Sequence, residues 1–290
     1  MKKQIIGAVV LAVGSAAALA AAAIPEASVT ASAEPVPGII RQAEAYATAD
    51  PVAEKGMQEA VRRCMAAAGY DYTPPLSMPA VDLNRDIGFP RLTVEAASAS
   101  GYASTQSKGP GEAAPDSAEG RLFADPAFEA ALAGNSDEVT KVGSTGALSG
   151  GCRGEAMTRI YGSAENYMLA TGMAYNPLLL ATRSASGDAG IAKAVKAWTE
   201  CMRDTPYASF ANPARAAEAG RAAGGQEEFR IAVTDAVCRD QTGFHKSLDA
   251  VLDKYLTTRM QELAPQVEKV KEIRRMAAAN AAALGSTSSN

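Results

Sequence analysis

The chain of 290 residues holds one histidine, His245, and one tryptophan, Trp198, and only 6% of it is aromatic. One histidine is a severe limit. Any Ser-His-Asp or Cys-His arrangement would have to use His245 in "TGFHKSLD", and no G-x-S-x-G segment supplies a nucleophile to go with it. One His and four Cys, the latter expected to be oxidised, leave no ligand set for zinc, so no metal and no cofactor is expected. No C-x-x-C is present, which weakens a thiol or redox reading. No block of Lys and Arg stands anywhere, and the formal net charge is -4. Nucleic acid is thereby excluded as a partner, since neutralising phosphates needs clustered cations. No convincing alternating apolar run of the β type is found either, so the expected class is all-α.

What is present begins with "MKKQIIGAVVLAVGSAAALAAAA", two lysines followed by an apolar, Ala-rich run and small residues. That is the layout of a secretory signal peptide. Two cut points fit, after Ala23 and after Ala33, and the second, ahead of the Pro-rich "EPVPG", is preferred. Read as an uncleaved anchor, Ile5 to Ile24 would just span a bilayer, which is the one route to a membrane association. The domain reading is a signal peptide over 1–33 and a flexible segment over 34–48. A helical domain follows over 49–283, made of two units (about 49–172 and 177–283), and then a disordered tail over 284–290.

Helix starts are marked by Asp50-Pro51, Asp125-Pro126, Asn176-Pro177 and Asn212-Pro213. In each pair the first side chain caps free N–H groups, and Pro in the first turn loses only an N–H that had no partner. These starts and the Gly stops predict helices near 50–68, 92–100, 125–133, 152–172, 177–184, 190–203, 213–222, 226–241 and 244–280. The last carries Leu248, Leu252, Leu256, Met260, Leu263 and Val267 on one stripe. The stripe serves either an intramolecular helix hairpin or a helix-helix contact with another protein, and Pro265 is expected to kink or break it.

The phrase "CMAAAGYDY" at Cys64 returns as "CMRDTPYASF" at Cys201, and each is followed later by Cys-Arg, at Cys152 and Cys238. Four cysteines allow three connectivities, and the duplication favours Cys64–Cys152 with Cys201–Cys238. In each unit a helix end would be stapled to a later helix, with Tyr70 or Tyr207 folding back as an apolar lid near the sulfur. Trp198, three residues before Cys201, would pack on the second bridge, and Val61 holds the equivalent place in the first.

Taken together, "CMAAAGYDY", "IGFPRLTVEAASASGY", "AALAG", "GGCRGEAMTRIYG", "WTECM" and "DAVC" resemble motifs of uncharacterised exported helical proteins of actinobacteria, over roughly residues 50 to 240. Phe89-Pro90 departs from the aromatic-Gly pair expected there. The resemblance implies a secreted, disulfide-stapled helical protein and carries no activity with it.

Three stretches are candidates for chemistry. "DLNRDIG", Asp82 to Gly88, opens like a calcium loop, but Ile87 and Thr93 stand where Gly and Glu are needed, so an Asx turn is the plainer reading. "GSTGALSGG", Gly143 to Gly151, reads as a flexible linker, or as an anion cradle ahead of a helix. Glu155 in "GGCRGEA", near Arg153 and Arg159, is the weak candidate for a glycan-cleaving carboxylate. The expectation is therefore an irregular all-α bundle stapled by two disulfides, with a long C-terminal helix. It would be exported to the extracytoplasmic space or cell envelope, and would bind an unknown protein or cell-wall component rather than catalyse.

Overall fold

Local capping sets most of the helix starts in the computed structural model, which describes residues 28–75, 81–106, 122–135, 138–142 and 145–286. Helix α1 (Ile39–Ala47) is turned in by Gly38 at φ 76°. Asp50 accepts the N–H groups of Val52 and Ala53 at 2.9 Å and so opens α2 (Pro51–Ala67). Asp82 caps α3 (Leu83–Asp86), and Thr93 caps α4 (Val94–Ser100) ahead of a 3-10 turn at Ala103–Thr105. Asp125 opens α5 (Pro126–Ala133). A hairpin follows, β1 (Val139–Val142) antiparallel to β2 (Thr145–Leu148), with Val139 opposite Leu148. Then come α6 (Gly151–Tyr161), α7 (Ala164–Ala170), α8 (Gly172–Ser186) and α9 (Ala189–Arg203). Asn212 caps α10 (Pro213–Ala223), and α11 (Gly225–Gln241), α12 (Phe244–Glu262) and α13 (Ala264–Ser286) complete the chain.

The all-α class therefore holds, with a long C-terminal helix and two disulfides, and five local readings change. Asn176-Pro177 does not start a helix: Pro177 lies inside α8, which begins at Gly172. The segment 152–172 is two helices, because Gly162 takes φ 77° and Ser163 restarts the chain by capping Asn166. The segment 244–280 is also two helices, parted at Leu263, with Pro265 in the first turn of α13 where its missing N–H costs nothing. Part of the expected linker 143–151 forms β2, and the stretch 34–48 contains α1, whose Ile39, Ile40, Ala43 and Tyr46 are buried.

Two apolar cores result, one around each bridge. Cys64 is bonded to Cys152, closing 88 residues, and Cys201 to Cys238, closing 37. The first core gathers Val61, Met65, Tyr72, Phe128 and Ile160, and the second gathers Tyr102, Leu178, Trp198, Phe244 and Leu252. They do not divide the chain into halves. Residues of the 81–102 stretch and α1 pack in the second core, whereas Ile273, Ala277 and Ala281 of α13 pack in the first. Helix α13 crosses from one to the other, since Val270 belongs to the second core. Against α2 it comes so close that a Cβ on Gly56 would lie 2.3 Å from the Cβ of Ala281.

Arg274 fastens that crossing. Its guanidinium donates to the carbonyls of Ala45 and Tyr46, at the end of α1, and to Ala170 at the end of α7. A cation among the last carbonyls of two helices meets the negative ends of both dipoles. Burial alone pulls the Arg274 pKa down from its usual value, and nearby Tyr161, Tyr46 and Asp50 oppose that shift.

Candidate functional site

Among the described residues, a connected set of polar side chains is buried in the second core. Asp235 and Arg239 stand four residues apart on α11, hence on one face, with Cys238 beside them. The Asp235 carboxylate accepts Nε and Nη2 of Arg239 at 2.7 and 2.9 Å. It also accepts Nε1–H of Trp198 at 2.9 Å and the hydroxyl of Tyr102 at 3.0 Å. Asp235 is 0% exposed and Arg239 2%. The remaining guanidinium nitrogen, Nη1, donates to the Pro90 carbonyl at 2.9 Å, and the guanidinium carbon lies 5.6 Å from the centre of the Phe244 ring.

Each participant is there for a physical reason. A buried indole N–H and a buried phenol both need an acceptor. A carboxylate that serves both must carry its charge into the interior, and that charge requires a paired cation. Tyr102 is fixed from behind by Gly220, where a Cβ would come within 2.5 Å of the ring, and its own N–H donates to Glu228. Burial, followed by the Asp235 charge, drives the Tyr102 phenol far above its ordinary pKa, so it remains a neutral donor. Every group in this network is already engaged inside the protein, and what the arrangement does chemically is hold the chain on either side of α4, at Pro90 and Tyr102, to α9 and α11.

His245 borders the same network. Its Nε2 accepts the Leu92 N–H at 3.3 Å, while Nδ1 is buried without a hydrogen-bond partner. Burial, with Arg239 and Arg91 nearby, lowers the imidazole pKa to about 4. It is therefore neutral at neutral pH, and it is a packing residue against Phe244.

The stretch Asp82 to Gly88 is divided among several partners. Asp82 accepts the N–H groups of Asn84 and Arg85, Asn84 Nδ2 donates to Asp249, and the Tyr175 hydroxyl donates to Asp86. Arg91 donates to Asp249 at 2.6 Å. Burial raises the pKa of Glu44, Asp86 and Asp253. Among the described residues no three His, Cys, Asp or Glu side chains converge as metal ligands.

The other sequence candidates fall as follows. Glu155 lies on the exposed face of α6, because Cys152 and Ala156 take the inward face. The anion position ahead of α6 is filled from within: the Glu138 carboxylate occupies the space that a side chain on Gly150 would need. Tyr70 meets Phe128 edge-on at 5.2 Å within the core of the first bridge. Tyr207 stacks on Phe210, and its hydroxyl donates to Glu227. Glu227 is in the first turn of α11, about 16 Å along the axis from Cys238, so Tyr207 clamps the far end of that helix rather than covering the sulfur. Trp198 shares the core of the second bridge, and its N–H is committed to Asp235. Leu252, Leu256, Met260 and Leu263 are buried and Val267 packs against the same core, so the stripe is used inside the chain.

The roles of Asp235, Arg239 and Tyr102 were not read from the sequence. Two signals were present: Asp four residues before Arg on one helix, and the motif pieces "GY", "W..C" and "DAVC", which all meet at this one carboxylate. No family model, curated protein or solved structure matches the chain.

Proposed function

We propose that this protein is an exported binding or scaffold protein of the extracytoplasmic space or cell envelope, with no catalytic role. The observation that carries the reading is the pair of disulfides, with all four cysteines consumed in them. Such crosslinks persist in oxidising compartments. The "MKK" opening with its apolar run supports export in the same direction, although residues 1–27 lie outside the described residues. Among the described residues, no helix is long and apolar enough to cross a membrane. The side chains best suited to chemistry serve packing instead: Asp235 and Arg239 neutralise one another, and His245 is buried. The resemblance to exported actinobacterial proteins agrees with this reading.

The test is production of the full chain in an exporting bacterial host. Cells are fractionated, the purified protein is mapped without reduction, and it is then assayed on peptidoglycan and soluble glycans. Both disulfides in an extracytoplasmic fraction, with no release of reducing ends, is the expected result. Glycan cleavage that Glu155→Gln abolishes would overturn the non-enzymatic reading, and protein held in the cytoplasm with free thiols would overturn export.

A further inference from the structure

We propose that proteolytic maturation leaves residues 28–33 on the protein, so that the cut falls upstream of Val29, at Ala23, and not after Ala33. The proposal rests on the export reading above and adds to it the site of the modification.

Two cut points suit the small-residue rule equally well in the sequence, and the fold distinguishes them. The segment 28–38 is laid as a strap across α8 and α12. The Val29 side chain is 8% exposed and belongs to the second core. Its N–H donates to Ser184 Oγ on α8 at 3.0 Å. Three residues on, the Ser32 N–H donates to the Lys254 carbonyl of α12 at 3.0 Å. The third anchor is the Val36 N–H, which donates at 2.9 Å to Oγ1 of Thr257, itself 0% exposed. Gly38 then turns the chain into α1.

A cut after Ala33 would remove two of these three anchors together with the one buried side chain of the strap. It would also uncover the second core where Val29 sits, and would place a charged amino terminus at Glu34. A cut after Ala23 keeps all three anchors and puts the new terminus five residues ahead of Val29. Ser32 Oγ is bonded locally, to the Glu34 N–H and carbonyl, so its side chain contributes nothing across the strap. That makes it an internal control.

The experiment is the intact mass of protein exported by a bacterial host from the full-length chain, followed by melting of two cytoplasm-free preparations that begin at Ile24 and at Glu34. The expected terminus is Ile24. The shorter chain is expected to melt about 5 °C lower, with Val29→Asp in the longer chain reproducing the drop and Ser32→Ala leaving it unchanged. A Glu34 terminus, or equal melting of the two chains, overturns the proposal while leaving export standing. A product that retains Met1 overturns the processing step, and only Met1 retained together with free thiols in the cytoplasm overturns the export reading as well.

Discussion

The two disulfide-bonded cores solve the same problem with opposite materials. Around Cys64–Cys152 the filling is apolar: Tyr70, Tyr72 and Phe123 each meet Phe128 or one another edge to face. Three residues before Cys64 stands Val61, which brings no polar atom with it. Around Cys201–Cys238 the corresponding place is taken by Trp198, and the change propagates. The indole N–H requires an acceptor, Asp235 three residues before Cys238 supplies it, and Arg239 neutralises the charge. In the first unit the position three before Cys152 is Ser149, which is bonded at the base of the hairpin, and Arg153 next to Cys152 is only half-buried. Polar residues in the second core thus came as a set. A duplicated crosslink does not oblige its surroundings to be duplicated, because one side chain with a buried N–H commits two further positions.

The largest expected effect is loss of a bridge. By chain entropy, Cys64→Ser with Cys152→Ser costs about 4–5 kcal/mol as an upper estimate, and the shorter loop of Cys201 and Cys238 costs about 4. Denaturant unfolding of the two double variants measures both, and the reverse order would break the comparison. Next is Asp235→Ala, which strands a buried guanidinium and is expected to cost about 3–5 kcal/mol. Adding Arg239→Met to that variant should restore part of the loss. No restoration would mean that the charge pair is not what couples the two positions.

Between about pH 7 and 5 the histidine titration acts beside the second core, which the chain's sole histidine borders. The His245 pKa is lowered to about 4 in the folded protein, so below about pH 6.5 the unfolded chain binds the extra proton first. Stability is therefore present at neutral pH and lost as pH falls from about 6.5 towards 4, on the order of 2 kcal/mol by pH 5. The raised carboxylates Glu44, Asp86 and Asp253 act in the opposite direction. The comparison to make is therefore wild type against His245→Gln, which keeps an acceptor for Leu92 and should lose this slope. Hydrogen exchange at pH 5 should quicken around Phe244 before it does around Phe128. The smallest effect is Gly56→Ala. The added methyl meets Ala281, so a packing penalty of about 1–3 kcal/mol is offset by about 1 from helix propensity, and melting should fall by a few degrees.

Helix caps were legible in the sequence because they are decided within three residues: Asp50, Asp125 and Asn212 each satisfy N–H groups of their own helix. Asn176 reads the same way locally and fails because α8 is already under way when it reaches Pro177. The hairpin was missed for a related reason. Four residues per strand give too short an alternation, and no strand residue in Val139–Val142 is fully buried. The Asp235 network was illegible as a contact set, since Tyr102 reaches it across 133 residues and Trp198 across 37. The strap over 28–38 reads in the sequence as the end of a signal peptide and the start of a flexible segment, because its anchors are backbone N–H groups, which any sequence possesses.

Helix α13 has one end in each core, and Arg274 pins it to the ends of α1 and α7. Mechanically it is an axle keyed at the middle. Relative rotation of the two cores would have to bend a continuous helix beside that key, so a pull applied to one core is felt by the other without slack. A stiff link of this kind passes a displacement of one core to the other, which a hinge would absorb.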